Sequence, residues 1–572
     1  MHRLSFLIFA AMFVCSHFCV ALPSSSKPCA CPHDRDNYDV IAYRIDLKID
    51  PNKKSIAGTV GIELVLTQKD VHCLVFDLVD EMCVTKVRLV RDTLGAKSSL
   101  SGRPANFEHS GDQLHCKLPE ASDAPQRFVV AIEYKGSPQS HDKMSGFHWG
   151  IDPDHNPWIS TSSQIIGAHH WWPCKASFFQ PADRCDLIWL NLTVPKDLVC
   201  FSNGKLSGTE ASGGRWKLWR WHYDYPISTY GVTVNIGNYE QSKSELKLPG
   251  LESPVELHTC VLPHMAEAAA VQFAQIPELL EIYSKCFGPY PFPKAKVGVA
   301  HTCFASMEHS SAIAYGWTFP SWLAKHDKPD PAQRLNRYYD YVLVHQFAHE
   351  WWGNNVAAST WKDVWLHEGF ATYAESLYLE ATRGREITDE YFQGLLMSIR
   401  GDSTLMPKSY ENFREAYSRA TYNRGSWVLN TLRHFVDDDA AWFKTLQEFQ
   451  SRHRHGVAST EDFRKVLEDV TKRPWKEFFD QWVYGSGYPK LSGEITATEE
   501  GLSIKIENEG TTDTGFDLPL DLRWREDCSE VRRRVWLSPG TNKIVIDTGS
   551  EAEGLQLVGM NRILGEHRVR IR

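Results

Sequence analysis

A multidomain α+β architecture is what this sequence predicts: an N-terminal β domain over residues 38–240, a mostly helical domain over 241–490, and a small C-terminal β domain over 491–572. Three observations carry that expectation. Apolar and polar residues alternate with period two from Tyr38 to about Glu240, the period shifts towards 3.6 after Pro263, and alternation returns from Leu491. A chain of 572 residues holds three or four domains, each able to bury its own core.

The chain opens with Met1-His2-Arg3, an apolar stretch from Leu4 to Val20, then Ala21 and a Pro/Ser-rich patch from Pro23 to Ser26. That layout reads as a signal peptide over residues 1–21; the alternative is an uncleaved N-terminal membrane anchor. Both place the remainder in a secreted, extracellular or lumenal compartment. Of 14 cysteines, Cys15 and Cys19 leave with the signal, and the even remainder permits disulfides. Cys73/Cys83 and Cys174/Cys185 are the attractive local pairs. No Cys-x-x-Cys pair occurs, which argues against a thiolate zinc site. Asn191-Leu192-Thr193 is the one glycosylation acceptor.

Strands are expected at Tyr43–Asp50 and Thr59–Leu66, separated by a turn at Asp50-Pro51-Asn52, and near Phe128–Tyr134, Leu187–Val194 and Tyr230–Ile236. Met265–Cys286 has one helical pattern, and Pro289 to Pro293 ends it before a buried strand at Val297–Ala300. Asp330-Pro331 opens a long helix, Asp as N-cap and Pro in the first turn. Helical patterns follow at Trp361–Thr382, Asp389–Arg400, Tyr422–Val436, Ala440–Arg452 and Thr460–Val470. Leu502–Ile506 and Lys543–Ile546 alternate again.

The charge balance, 62 basic against 71 acidic residues for a net −9, comes without a long basic run, so nucleic acid is not an expected partner. A mean hydropathy of −0.37, with no long apolar run after the leader, argues against a multi-span membrane protein.

Chemistry concentrates in His345-Gln346-Phe347-Ala348-His349. Histidines at i and i+4 share one helix face, the spacing at which two imidazoles meet one tetrahedral metal. Trp365-Leu366-His367-Glu368-Gly369-Phe370 follows, with eighteen residues between His349 and Glu368. Two imidazoles, one carboxylate and an open fourth position make a catalytic zinc site.

The segment Val344 to Glu380 resembles the zinc aminopeptidases of the aminopeptidase N and leukotriene-hydrolase family, whose hallmark is H-E-x-x-H, eighteen residues, then Glu. Trp351-Trp352-Gly353-Asn354 matches the family's W-[WF]-G-N. Ala305-Ser306-Met307-Glu308-His309 resembles G-A-M-E-N, and Tyr422-Asn423-Arg424-Gly425 resembles Y-E-K-G. The resemblance covers residues 38 to about 490. It implies one Zn²⁺ held by His345, His349 and Glu368, a peptide amine bound by Glu308 and Gln164, and an oxyanion met by Tyr422. Taken singly, Glu308 reads as a turn carboxylate, Tyr422 as a core tyrosine and Gln164 as a surface residue. The partners implied are peptides with a free N-terminus. The fold implied is a β saddle, a thermolysin-like zinc peptidase domain and a small β domain. Larger family members add a helical lid; this chain stops at Arg572, so no such lid is expected.

One position departs from the family. Where the general base should be Glu, this sequence has Gln346. An amide hydrogen-bonds water but takes no proton from it, and losing a positioned base costs about 10²–10⁴ in rate. Glu350 lies one turn on, about 6 Å along a helix, yet some family members carry Glu there beside an intact H-E-x-x-H. The expectation is therefore a zinc metallo-aminopeptidase weakened at its base, or a zinc-binding pseudoenzyme that captures peptide N-termini. Ala305 and His309 replace Gly and Asn of the amine motif and bear on substrate preference.

Overall fold

The computed structural model describes residues 35–572 apart from 123–125, 141–144, 165–166, 177–182, 317–339, 407–415, 499–500, 527–528 and 549–551. Strand Tyr38–Asp50 lies inside an eight-stranded sheet, antiparallel to Ser55–Leu66 and parallel to Leu187–Pro195. Its alternation does the sorting: Tyr43, Ile45, Leu47 and Ile49 are buried, while Asp46 and Lys48 face outward. A four-stranded sheet containing Ser145–Ile151, Pro157–Ser163, Val199–Ser202 and Val234–Gly237 completes the approach to the site.

A second four-stranded sheet runs in the order Glu240–Leu246, Val255–Val261, Val297–His301, Ile313–Tyr315. On its edge, Met307 and Ala314 exchange two backbone hydrogen bonds of 3.2 and 2.9 Å, which lays the Met307-Glu308 segment along the last strand. Eight helices carry most of the rest: α1 Ala266–Phe273, α2 Ile276–Phe287, α3 Tyr341–Ala348, α4 Trp365–Arg383, α5 Arg385–Leu396, α6 Gly425–Val436, α7 Asp439–Arg452 and α8 Thr460–Thr471. Two small antiparallel-rich sheets follow from Pro489 onward, so the β, helical, β succession holds. One contiguous apolar core runs from Tyr38 to Leu564.

Four expectations change. The pattern over Met265–Cys286 is two helices, because Pro277 in the first turn of α2 starts a new helix instead of continuing α1. The helix with the histidines begins at Asp340, whose side chain accepts from the Leu343 amide at 3.0 Å; the expected start at Asp330 lies outside the described residues. Tyr422 sits in a wide π turn, Ala420–Arg424, just before α6. Finally, Cys83 and Cys185 carry free thiols, so neither local disulfide forms. The Cys83 side of β-strand Cys83–Val90 is exposed, whereas Cys73 is buried in another sheet, and the Cys185 thiol points at the Ile227 carbonyl.

Candidate metal centre

Asp340 anchors α3 with more than its cap: Tyr315 donates its hydroxyl to the same carboxylate at 2.5 Å, and the Gln272 amide donates too. A helix so fixed at its start presents His345 one turn before its end, and His349 follows directly after Ala348. Glu368 comes from the first turn of α4. The three side chains converge: His345 Nε2 to His349 Nε2 is 3.1 Å, and Glu368 Oε2 is 3.3 Å from the first and 3.4 Å from the second. An ion held tetrahedrally at 2.0–2.1 Å separates its ligand atoms by roughly 3.3–3.4 Å. The donor triangle is that size.

The outward ring nitrogens fix the tautomers. His345 Nδ1 meets Glu375 Oε1 at 2.9 Å, and His349 Nδ1 meets the Trp352 carbonyl at 2.9 Å. Carboxylate and carbonyl accept, so both Nδ1 atoms carry hydrogen and both Nε2 atoms face Glu368. Glu375 lies seven residues beyond Glu368, on the same face of α4. Tyr391 donates to its other oxygen at 3.1 Å. Burial alone would lower His345, but the hydrogen bonds that Glu368 and Glu375 accept from it push it up to about 10. Burial would raise Glu368, but the two histidines hold it well below the carboxylate range. A pocket with two buried carboxylates around two imidazoles calls for positive charge, and the residues present fit a zinc ion.

The Trp351-Trp352-Gly353-Asn354 run builds around this triangle. Gly353 adopts φ 123°, a backbone conformation that strains any residue with a side chain, and it brings the backbone into van der Waals range of the His367 and His349 rings. Asn354 donates its amide to the Glu308 carbonyl at 2.9 Å and so ties the amine motif to the metal segment. Glu308 is 5% exposed; burial pushes its carboxyl up, and His349 and Glu368 act on it electrostatically in opposite senses. Tyr422 stacks on His345, ring centroids 6.0 Å apart at 18°, and hydrogen-bonds Glu368.

Gln346 is half-buried on α3, and its side-chain oxygen is buried without a hydrogen-bond partner. Glu350 does not share its face. The helix stops at Ala348, and Glu350 turns away to accept from the Ser311 amide at 2.9 Å and the Tyr290 hydroxyl at 3.2 Å. Gln164 occupies the turn after strand Pro157–Ser163, half-buried, with no hydrogen bond to the metal-site residues. Sequence reasoning missed Glu375, whose signal was an acid in the buried run Ala374-Glu375-Ser376-Leu377. It also missed buried Tyr230, raised by burial and by Glu308 and Glu368, and half-buried Tyr417, raised by burial and by Tyr230, Glu368 and Glu308; nothing local in the sequence marks them.

Comparison with known proteins decides the family. The profile of the peptidase family M1 domain matches residues 271–482, and that of the peptidase M1 N-terminal domain matches residues 37–230. The chain belongs to peptidase family M1. Among curated relatives of this M1 chain, glutamyl aminopeptidase of Homo sapiens is 23% identical over 421 residues, 70% of this chain and 41% of that protein. Endoplasmic reticulum aminopeptidase 1 of Homo sapiens is 24% identical, over 91% of this chain and 58% of that one. The M1 chain thus spans about half the length of the curated relatives it matches. The crystal structure of the M1 zinc metallopeptidase from Deinococcus radiodurans superposes with a TM-score of 0.64 at 20% identity, covering 78% of this chain and 93% of that one. At that identity the likeness is one of fold. Among the described residues no helix is long and apolar enough to cross a membrane.

Proposed function

We propose that this M1 chain is a secreted zinc metallo-aminopeptidase-type protein that binds peptide N-termini and hydrolyses them weakly. His345, His349 and Glu368 would hold the zinc, with Glu375 and the Trp352 carbonyl orienting the imidazoles. When bound, the ion supplies Lewis-acid polarisation of the scissile carbonyl. Glu308 supplies the counter-charge for a substrate ammonium, and Gln164 a second acceptor. The Tyr422 hydroxyl donates to the carbonyl oxygen as it gains charge.

The observation that carries the weak turnover is the side-chain oxygen of Gln346, buried without a hydrogen-bond partner at the base position, with Glu350 committed elsewhere. Gln346 orients a water but accepts no proton, so proton delivery to the leaving amine lacks a carrier. The same observation favours a second reading, a zinc-binding pseudoenzyme that captures peptide N-termini without efficient turnover.

Metal analysis of purified protein is expected to find one zinc per chain. Aminoacyl reporter substrates are expected to be cleaved slowly, and Gln346→Glu to raise kcat by about 10²–10⁴ with zinc content unchanged. Fast cleavage by the unsubstituted protein with no gain from Gln346→Glu would overturn the weakened-base reading. Absence of zinc would overturn both readings.

A further inference from the structure

We propose that Asn191 carries an N-linked oligosaccharide seated in a groove on the outer face of the eight-stranded sheet; this rests on the secretory reading above. The acceptor run Asn191-Leu192-Thr193 lies in the middle of strand Leu187–Pro195. Period two then decides its geometry: Leu192 is fully buried, while Asn191 and Thr193 both face outward. The acceptor amide and the hydroxyl that an oligosaccharyltransferase requires therefore stand side by side on one face.

That face is open where it matters. A groove of about 500 Å³ lies over Asn191 and Thr193. Asp46 and Lys48 stand directly beside Asn191 and Thr193, and beyond them the floor is built from the small residues Ala57, Gly58 and Thr59 of the next strand, with Ala96 on the loop above. Register sets the walls: Arg220 is directly opposite Asn191, and Leu218 directly opposite Thr193. A guanidinium and an aliphatic side chain give a pyranose ring a hydrogen-bond donor and an apolar surface.

The Asn191 amide has two hydrogens and two acceptors, Asp46 Oδ1 at 2.7 Å and the Ala96 carbonyl at 3.4 Å. In the transfer, Nδ2 bonds the anomeric carbon of the first N-acetylglucosamine and loses one proton, which ends on the departing lipid diphosphate. The bond from that carbon to the phosphate oxygen of a lipid diphosphate carrier breaks, and the lipid diphosphate leaves with the electron pair. One amide hydrogen remains, enough to keep the short bond to Asp46; the long contact to Ala96 is the one given up. The modified strand therefore folds without a new unsatisfied group.

The test is the full chain produced in an insect or mammalian cell line, with intact mass and mobility measured before and after peptide-N-glycosidase. One oligosaccharide is expected, absent from Asn191→Gln and Thr193→Val and retained in Thr193→Ser. Thr193→Val preserves the strand and the Asn191–Asp46 bond, so its loss of sugar is not a folding failure. A second version carries a known secretion signal ahead of Leu22. If that version reaches the medium with Asn191 unmodified, the glycan inference is wrong. If it is glycosylated while the natural chain stays in the cytosol, the secretory reading fails, and with it the inference for the natural protein.

Discussion

Glu350 is the residue on which two accounts of the site part. Extrapolating α3 by 3.6 residues per turn puts it near Gln346, but the helix ends at Ala348 and the side chain swings towards Tyr290 and Ser311. Burial pushes its carboxyl up to about 7 against the hydrogen bonds it accepts. Ser311 is three residues past Glu308, and Asn354, which holds the Glu308 carbonyl, also bonds Glu350. Glu350 is thus a positioning residue for the amine-binding segment. Glu350→Gln is expected to leave zinc content intact, to weaken binding of a short peptide several-fold by calorimetry, and to leave the turnover of Gln346→Glu within an order of magnitude. Loss of that turnover by more than about 10² would make Glu350 the proton carrier instead. The His345 and His349 pair was legible because i, i+4 spacing is a property of helices. The direction of Glu350 was not, because it depends on where a helix stops.

Element boundaries explain most of what the pattern reading blurred. Alternation placed Tyr38–Asp50 and Ser55–Leu66 well, since a strand with one wet face must alternate. The tripartite order was legible for the same reason. Helix starts were harder: Asp340, directly before the apolar run Tyr341–Val344, caps the described helix, while the expected start at Asp330 lies outside the described residues. Asp340 gathers the Leu343 amide, the Tyr315 hydroxyl and the Gln272 amide in one buried carboxylate. Asp340→Ala is expected to cost about 3–7 kcal/mol, an N-cap of about 1 kcal/mol plus two unsatisfied buried donors, Tyr315 and Gln272, at about 1–3 kcal/mol each. Since α3 carries His345 and precedes His349, zinc affinity should fall with it, while Asp340→Asn keeps the cap and most of both. Denaturant midpoints and zinc titration of the two variants check this; equal losses from Ala and Asn would mean the charge, not the cap, is what matters.

Across the whole molecule, polar clamps join the β and helical parts, and several buried histidines accompany them. Arg184, from the N-terminal β region, donates to the Asn355 carbonyl at 3.2 Å and the Gly456 carbonyl at 3.1 Å. Asp521 of the C-terminal β region takes Arg534 at 2.7 Å and Arg532 at 2.9 Å, with His434 of α6 3.5 Å away. Burial lowers His434 and His301 to about 4, and His258 and His309 to about 3. In the unfolded chain these rings titrate near 6.5. Between 6.5 and about 4 the unfolded state therefore binds up to four more protons than the folded one, and stability is lost as pH falls. Glu350 opposes this: its folded value of about 7 lies above its ordinary 4.5, so the folded state gains one proton over that interval. For these five groups alone, three net protons correspond to a slope of about 4 kcal/mol per pH unit near pH 5. Urea midpoints measured from pH 7.5 to 4.5 are expected to drop steeply below 6. His434→Asn should remove about a quarter of the histidine slope, at a site away from the metal centre. A midpoint that stays constant down to pH 4.5, or an unchanged slope in His434→Asn, would show that these rings are protonated in the folded protein and that their burial is compensated.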